Sequence, residues 1–240
     1  MKRSRVRLLL AFALIPMPSA LKRIALGLLI GAHIDSSARI GLSMVDSDAL
    51  DMGPGSRIGH FTVFRGLRRT RLGAGARVGN FNWITAATVF RSQATETSEH
   101  GCFTLGRESA ISGRHYIDCS GGVIVGEYSS LGGVGSSILS HQVNFSEGIQ
   151  TAETTRIGDR CFVSSNVCVV AGASIPSRSI VAMGAVVVGR LEHSGSLYGG
   201  VPARELRTNV DTGRWFRRTR GFVGLTNTDQ EDDDLDSREA

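Results

Sequence analysis

The stretch "IGDRCFVSSNVCVVAGASIPSRSIVAMGAVVV", residues 157–188, repeats one pattern every six residues. An aliphatic residue recurs at Ile157, Val163, Val169, Ile175, Val181 and Val187. The fourth residue after each of the first five is small: Cys161, Val167, Ala173, Ser179 and Ala185. A helical domain would need an apolar period near 3.6, which this stretch lacks. Six residues make one short strand and a corner, so the pattern predicts a solenoid of stacked coils.

The same spacing runs through the earlier part of the chain in four groups. These groups are Ile34, Ile40, Met52, Ile58 and Phe64, with a gap at Asp46; Leu72, Val78, Ile84 and Phe90; Leu105, Ile111 and Ile117; and Val125, Leu131 and Ser137. Two interruptions, roughly residues 91–104 and 142–156, are long enough to leave the wall as loops. The fold class predicted is all-β, a parallel β-helix whose aliphatic residues point inward.

Composition fits one repeat domain. The 240 residues include 30 glycines but only 5 prolines, which suits many tight corners. The four cysteines, Cys102, Cys119, Cys161 and Cys168, form no CxxC pair, so we predict reduced core residues and neither a disulfide nor a metal site. The net charge of +5 comes without a nucleic-acid-binding motif. The basic stretches therefore favour a phosphate-bearing ligand or an anionic membrane surface, and no nucleic acid.

Three regions are predicted: a helical, amphipathic lead-in over 1–33, the repeat domain over 34–207, and a basic segment with an acidic, disordered tail over 208–240. The basic start and short apolar run of the lead-in are also typical of a secretory signal. Because the apolar pattern continues into the repeat, we expect the lead-in to be retained, capping the first coil or lying on a membrane. Pro16 and Pro18 interrupt a run already too short to span one.

Two motifs carry a family resemblance. One is the 157–188 repeat with its continuation to "GGVPAR" at 199–204, and the other is "DCSGGVIVGEYSSLGGVGSSILSH" at 118–141. With them the chain resembles the left-handed parallel β-helix acyltransferases, the hexapeptide-repeat group that includes maltose, galactoside and exopolysaccharide O-acetyltransferases. The resemblance implies a left-handed helix, acetyl-CoA as acyl donor, no metal, and a homotrimer with its active site between subunits. It also implies a cytoplasmic location, here at the inner face of the membrane if the lead-in binds lipid.

Acyl transfer to a sugar hydroxyl requires a base, and histidine suits that task because its pKa lies near the working pH. The resemblance assigns this role to His141, which ends the second motif and precedes a predicted loop. His115 and Asp118, in "SGRHYIDCSGG", are candidates for contact with the acceptor. A hydrogen-bonded structural histidine is the alternative for His115.

The same resemblance assigns the acyl donor to the C-terminal coils, through backbone groups, small side chains and basic residues at the phosphates. The matching positions are Ser164, Ser165, Ala182, Gly189, Arg190 and Arg204. Close packing is the alternative for Ser164 and Ala182, and capping of the last coil is the alternative for Arg204.

The function predicted is a CoA-dependent O-acyltransferase that moves an acyl group, acetyl in the first instance, to a hydroxyl of a sugar or surface glycan. One alternative is a non-catalytic β-helix scaffold, which would show long unbroken repeats. Another is a metal lyase resembling the γ-type carbonic anhydrases, which hold zinc with three histidines. The histidine pair that this lyase needs is missing after His141.

Overall fold

Residues 2–95 and 97–221 are described by the computed structural model of the chain. Two helices come first, α1 (Lys2–Leu14) and α2 (Ser19–Ile30). The strands that follow are β1 (His33–Ile34), β2 (Arg39–Ile40), β3 (Met44–Met52), β4 (Arg57–Ile58), β5 (Val63–Leu72), β6 (Arg77–Val78), β7 (Trp83–Thr85), β8 (Cys102–Leu105), β9 (Ala110–Ile111), β10 (Tyr116–Asp118), β11 (Val123–Val125), β12 (Ser130–Leu131), β13 (Ser137–Ile138), β14 (His141–Asn144), β15 (Ile149–Ala152), β16 (Thr155–Ile157), β17 (Phe162–Val163), β18 (Cys168–Val169), β19 (Ser174–Ile175), β20 (Ile180–Val181), β21 (Val186–Val187), β22 (Leu197–Gly199) and β23 (Arg204–Arg207). Two 3₁₀ helices span Thr88–Gln93 and Arg214–Arg217.

The strands stack into three walls of a left-handed parallel β-helix, as predicted. The first wall holds β1, the C-terminal halves of β3 and β5, then β8, β11, β16 and β19. The second holds β2, β4, β6, β9, β12, β17, β20 and β22, with β23 antiparallel at its end. The third holds the N-terminal halves of β3 and β5, then β7, β10, β13, β18 and β21. Because β3 and β5 continue around a corner, the first and third walls form one 12-stranded sheet.

The two-residue strands each contribute one inward side chain to the core, and longer strands such as β8 and β11 contribute two or more. The series Ile157, Val163, Val169, Ile175, Val181 and Val187 is buried throughout, which confirms the period of the deciding stretch. The corner residues Cys161, Ala173 and Ala185 are also fully buried. Small side chains are needed there because the next coil crosses closely, and parallel strands of successive coils lie only about 4.8 Å apart.

Two positions of the predicted series lie elsewhere. Ser137 was expected to point inward, but Ile138 is buried in its place, because the corner after Leu131 is one residue longer than its neighbours. The pairing of β10 with β13 confirms this one-residue shift, since Ile138 lies opposite the inward Ile117. Phe90 lies outside the wall in the 3₁₀ helix Thr88–Gln93, because the chain leaves the third wall before reaching it.

Both predicted interruptions are insertions, although their bounds differ. The chain leaves the third wall after β7 and rejoins the first wall at β8, so the first insertion covers 86–101. The second covers 139–154 and is mostly the antiparallel hairpin of β14 and β15. The ends predicted for these loops, Thr104 and Arg156, already belong to wall strands.

Segments at both ends of the chain pack on the solenoid. In α1, Arg7 donates from Nε to Asp46 at 2.6 Å and also pairs with Asp48. After β23 the chain runs back along a corner, where Arg178 binds Asp211 and Arg160 donates to the carbonyl of Phe216. In the part of the chain that the structure describes, no helix has the length and apolarity to cross a bilayer. The predicted acidic tail lies outside the described residues.

Candidate active site

The candidate site lies along the edge where the third wall turns toward the first. Three successive coils reach this edge as β7, β10 and β13 end, at Thr85, Asp118 and Ile138. The first and last of these coils leave the wall as the two insertions. The middle coil turns directly, so Asp118 lies between the two places where the repeat is interrupted.

His141 and Asp118 form a hydrogen-bonded pair at this edge. Nδ1 of His141, the first residue of β14, lies 2.6 Å from Oδ2 of Asp118. The carboxylate side chain is only 2% exposed, whereas the imidazole is 37% exposed. A carboxylate at Nδ1 makes that nitrogen the protonated one and leaves the lone pair of Nε2 available. The pair therefore has the arrangement of an oriented general base.

Serine groups hold the carboxylate of Asp118. Its Oδ1 accepts from the hydroxyl of Ser120 at 2.6 Å and from the backbone N–H of the same residue at 3.2 Å. Its Oδ2 accepts from the backbone N–H of Ser140 at 3.1 Å. Gly121 lets the two coils approach, since a Cβ there would lie 2.4 Å from the carbonyl oxygen of Ser140. The carboxylate is thus fixed by its surroundings before any ligand binds.

A large cavity starts at the histidine. It has a volume of about 1290 Å³ and extends from His141 down the third wall to α1 and α2. Phe90, from the first insertion, packs on the imidazole with ring centroids 5.7 Å apart. Phe90, which the repeat count had placed in the wall of the β-helix, therefore contacts the imidazole from the first insertion.

Sequence reasoning missed three residues on the cavity wall, Arg65, Trp83 and Tyr116. Trp83 and Tyr116 are in register on β7 and β10, with 52% and 43% of each residue exposed. Each of the three is next to an inward core residue, so strand alternation points it outward on the third wall. That alternation was the available signal, but it does not show that this wall lines a cavity.

The two predicted acceptor residues are placed differently. His115 is buried, and its Nδ1 accepts from the backbone N–H of Ser136 at 3.1 Å. Its Nε2 lies 3.1 Å from Oγ of Ser112, and burial lowers the pKa of the imidazole. The structure therefore does not bring His115 to the cavity, and the structural alternative describes it. Asp118 reaches the candidate site, where its Oδ2 contacts Nδ1 of His141.

The predicted donor residues lie on two different edges. Ser164, Ser165, Ala182 and Arg204 follow the edge between the second and third walls, while Gly189 and Arg190 lie on the edge that also carries His141. Stacking along the first of these edges is direct, since the N–H of Gly184 donates to the carbonyl of Ser165 at 3.1 Å. Within one chain, the six residues do not form one pocket.

The cysteines divide into two kinds. Cys102, Cys119 and Cys161 are buried, and burial raises the pKa of all three thiols, that of Cys161 to about 11. Buried thiols of this kind are poor nucleophiles. The prediction that all four are core residues is wrong for Cys168, which is exposed because it takes the outward position next to Val169 on β18. Among the described residues, no cluster of three His, Cys, Asp or Glu could hold a metal ion.

Comparison with known proteins extends this description. No family model matches the chain. The bifunctional protein GlmU of Wolbachia pipientis wMel is 29% identical over 158 residues, which cover 66% of this chain. The matched region is only 30% of the length of that relative.

Two solved structures have the same fold. The polysialic acid O-acetyltransferase OatWY superposes with a TM-score of 0.53 at 13% identity, covering 85% of this chain and 94% of its own. A mutant of AntD, an N-acyltransferase from Bacillus cereus in complex with dTDP-4-amino-4,6-dideoxyglucose and coenzyme A, gives a TM-score of 0.53 at 12% identity. That match covers 91% of this chain and 95% of AntD. The chain therefore has the β-helix fold of solved sugar acyltransferases, which confirms in fold the resemblance drawn from its repeats.

Proposed function

We propose that this protein is a CoA-dependent O-acyltransferase that transfers an acyl group, in the first instance acetyl, to a hydroxyl of a sugar or surface glycan. The observation that carries the proposal is the buried Asp118 carboxylate 2.6 Å from Nδ1 of His141, at the end of a large cavity. The solved structures with this fold support the choice of reaction, because one is named for O-acetylation of a polysaccharide and the other holds a nucleotide sugar and coenzyme A.

In this proposal His141 moves one proton in each direction. Nε2 accepts the proton of the acceptor hydroxyl as the hydroxyl oxygen bonds to the acyl carbon supplied by the thioester. As the carbon–sulfur bond breaks, the imidazolium returns that proton to the departing sulfur, so the products are an ester and a free thiol. Asp118 stabilises the transient positive charge through Nδ1–H. A positioned base of this kind contributes about 10²–10⁴ in rate.

The residues proposed for the donor suit an extended, phosphate-bearing ligand. Ser164, Ser165 and Ala182 are small, half-buried residues at their edge, and a Cβ added at Gly189 would meet nothing within 4 Å. Exposed guanidinium groups stand on both edges, at Arg190 and Arg204. Arginine binds phosphate with several N–H donors at once. The Ser164 edge and the Gly189 edge are separate in one chain. A single ligand could therefore contact residues of both edges only where the walls of two subunits face each other.

This separation supports a homotrimer as part of the proposal. In a closed ring, the edge with His141 of one subunit would face the Ser164 edge of its neighbour and complete the donor site. The hairpin of β14 and β15 projects from the same edge with exposed apolar side chains at Val143, Phe145 and Ile149. Exposed apolar groups of this kind are typical of a surface that another chain covers.

A cytoplasmic location, where coenzyme A is found, and contact with the inner membrane face also belong to the proposal. The proposed membrane contact is supported by the exposed apolar surface of the two helices, which includes Leu9, Phe12, Leu21 and Leu28. Flotation with anionic phospholipid vesicles tests the contact. Failure of the intact protein to float with the vesicles would contradict it.

The test of the catalytic proposal is release of free thiol from acetyl-CoA against a panel of sugars and amino sugars. We expect turnover with a hydroxyl acceptor that His141→Ala abolishes. His33→Ala is the matched control, because His33 is an exposed histidine on β1 that pairs with Asp51 and does not line the cavity. Equal turnover of His141→Ala and His33→Ala would reject His141 as the base, and acylation of amines alone would reject O-acylation.

A further inference from the structure

The cavity beside His141 changes character along its length. Near the histidine its wall carries the aromatic residues Tyr116 and Trp83, followed by Arg65 on the next strand. Beyond the ion pairs of Arg7 with Asp46 and Asp48, which also line it, the wall is formed by the two N-terminal helices. Apart from Arg7, the helix residues that line it are aliphatic and include Leu8, Leu10, Leu14, Leu26, Leu29 and Ile30. The cavity is therefore polar and aromatic at one end, and at the other it carries an aliphatic helix surface beside one cluster of paired charges.

Strand order gives the spacing of these ends. On the third wall, β10 pairs with β7, β7 with β5 and β5 with β3. Three steps of about 4.8 Å place β3, on which the helices pack, roughly 15 Å from the strand that carries Tyr116. A single sugar ring does not reach across that distance, and about 1290 Å³ exceeds the roughly 300–1,000 Å³ of common small-molecule pockets.

The aliphatic end is open rather than filled. Leu10 and Leu29 line the cavity, yet 39% and 49% of their surfaces remain exposed, whereas Leu26 between the helix and the core is buried. Arg7 of α1 forms ion pairs with Asp46 and Asp48 of β3. These contacts hold α1 against the third wall, so the helix forms one side of the cavity. Partly exposed leucines that line a cavity favour binding of the apolar part of a ligand.

We propose that the acceptor is an amphiphile, a sugar joined to a hydrocarbon chain, with the sugar on Trp83 and Tyr116 and the chain between α1 and α2. The inference rests on the proposed function for the role of the sugar at His141. The hydrocarbon belongs to the acceptor because the proposed donor residues lie on coils on the other side of His141, away from the helices. A lipid-linked sugar is the substrate class that fits both ends.

Binding tests this inference without turnover. The chain has two tryptophans, and Trp215 packs against Phe162 away from the cavity, so Trp215→Phe leaves Trp83 as the only reporter. The probes are octyl β-D-glucopyranoside, below its micelle-forming concentration, and methyl β-D-glucopyranoside. We expect a saturable change in Trp83 fluorescence with the octyl glycoside, and binding of the methyl glycoside weaker by about tenfold or more.

Two matched pairs of variants test where the hydrocarbon chain of the glycoside binds. Leu29→Gln and Leu10→Gln change cavity residues, while Leu28→Gln and Leu9→Gln change their neighbours, which are exposed outside the cavity. We expect the first pair to weaken octyl glycoside binding by about tenfold, since each removes one buried aliphatic contact. The second pair should leave it unchanged. The two positions on separate helices keep the test valid if one variant folds poorly.

Several results would overturn the inference. Equal affinity for both glycosides, absence of a saturable change, or equal loss in cavity and outer variants would each exclude a hydrocarbon site. Competition by octanoyl-CoA but not by acetyl-CoA would assign the chain to the acyl group instead of the acceptor. These outcomes are independent of thiol release from acetyl-CoA with a soluble sugar, which alone decides the proposed function.

Discussion

The substitution Asp118→Asn tests whether Asp118 orients the proposed base, because it leaves His141 itself in place. The amide keeps the shape of the carboxylate and, through its oxygen, still accepts from Ser120. Its nitrogen then replaces Oδ2, which accepts from Nδ1 of His141 and from the N–H of Ser140. Donor groups would face each other at both contacts. We therefore expect the imidazole to lose the orientation and tautomer that the carboxylate imposes.

The expected loss follows from these contacts. A hydrogen bond to a charged group is worth about 1.5–3 kcal/mol. At 1.36 kcal/mol per tenfold change in rate, kcat should fall by about 10- to 150-fold. The buried donor left unpaired at Ser140 costs about 1–3 kcal/mol of stability. For a chain of this size that lowers the Tm by roughly 2–12 °C.

The assay is thiol release with acetyl-CoA and a verified acceptor, together with thermal unfolding, for four variants. Asp118→Asn combined with His141→Ala should be no slower than His141→Ala alone, because the carboxylate acts only through the histidine. Ser120→Ala is the stability control, since it removes support from Oδ1 and leaves the Nδ1 contact in place. It should lower the Tm with little loss of kcat. Multiplicative losses in the double variant, or Asp118→Asn within twofold of the natural chain, would refute the positioning role.

The remaining predictions concern the base, the donor, the assembly and the thiols. His141→Ala should lower kcat by about 10²–10⁴ while the chain stays folded with a modestly lower Tm, because Oδ2 of Asp118 loses one partner and keeps the N–H of Ser140; retention of a tenth of the activity would contradict the assignment. Arg204→Ala should weaken coenzyme A binding measured by calorimetry, less so as salt rises, and a salt-independent loss would argue against a phosphate contact. Light scattering should give three times the 25.6 kDa chain mass, whereas an active monomer would exclude a shared site. At pH 8 a thiol reagent should modify Cys168 first, because Cys161, with its pKa raised to about 11, stays protonated there; an unchanged fast phase in Cys168→Ser would contradict the exposed position.

The fold was predictable because each strand repeats one requirement. An inward aliphatic residue every six positions, with a small residue at the corner, is enough to place Val163, Val169 and Val181 in the core. The period fails where a corner gains a residue, as before Ile138, because spacing alone does not show whether the extra residue belongs to the corner or to the strand. Phe90 also follows the count by six, but it lies outside the wall because the first insertion begins after β7, which spacing does not show.

The site was predictable only in part. His141 was assigned from the motif that it ends, and that assignment stays a prediction. Its 2.6 Å contact with Asp118 could not be read from the sequence, because it joins neighbouring coils across 23 residues. His115 was a reasonable acceptor residue in sequence, but its position at a tight corner turns the ring inward to Ser136. Residues such as Trp83 look like ordinary outward positions. They line the cavity because helices that precede the repeat, and have no periodic relation to it, form its far end.

The interruptions of the repeat explain why the candidate site lies where it does on such a regular fold. Every uninterrupted coil presents nearly the same flat wall, so a concave surface needs a departure from the period. Here the two insertions leave the same edge two coils apart, and the coil between them supplies Asp118. The first insertion brings Phe90 onto His141, and the second begins with His141 itself. Because both interruptions lie on one edge, His141, Asp118 and Phe90 come together there, and moving either insertion to another corner would separate them.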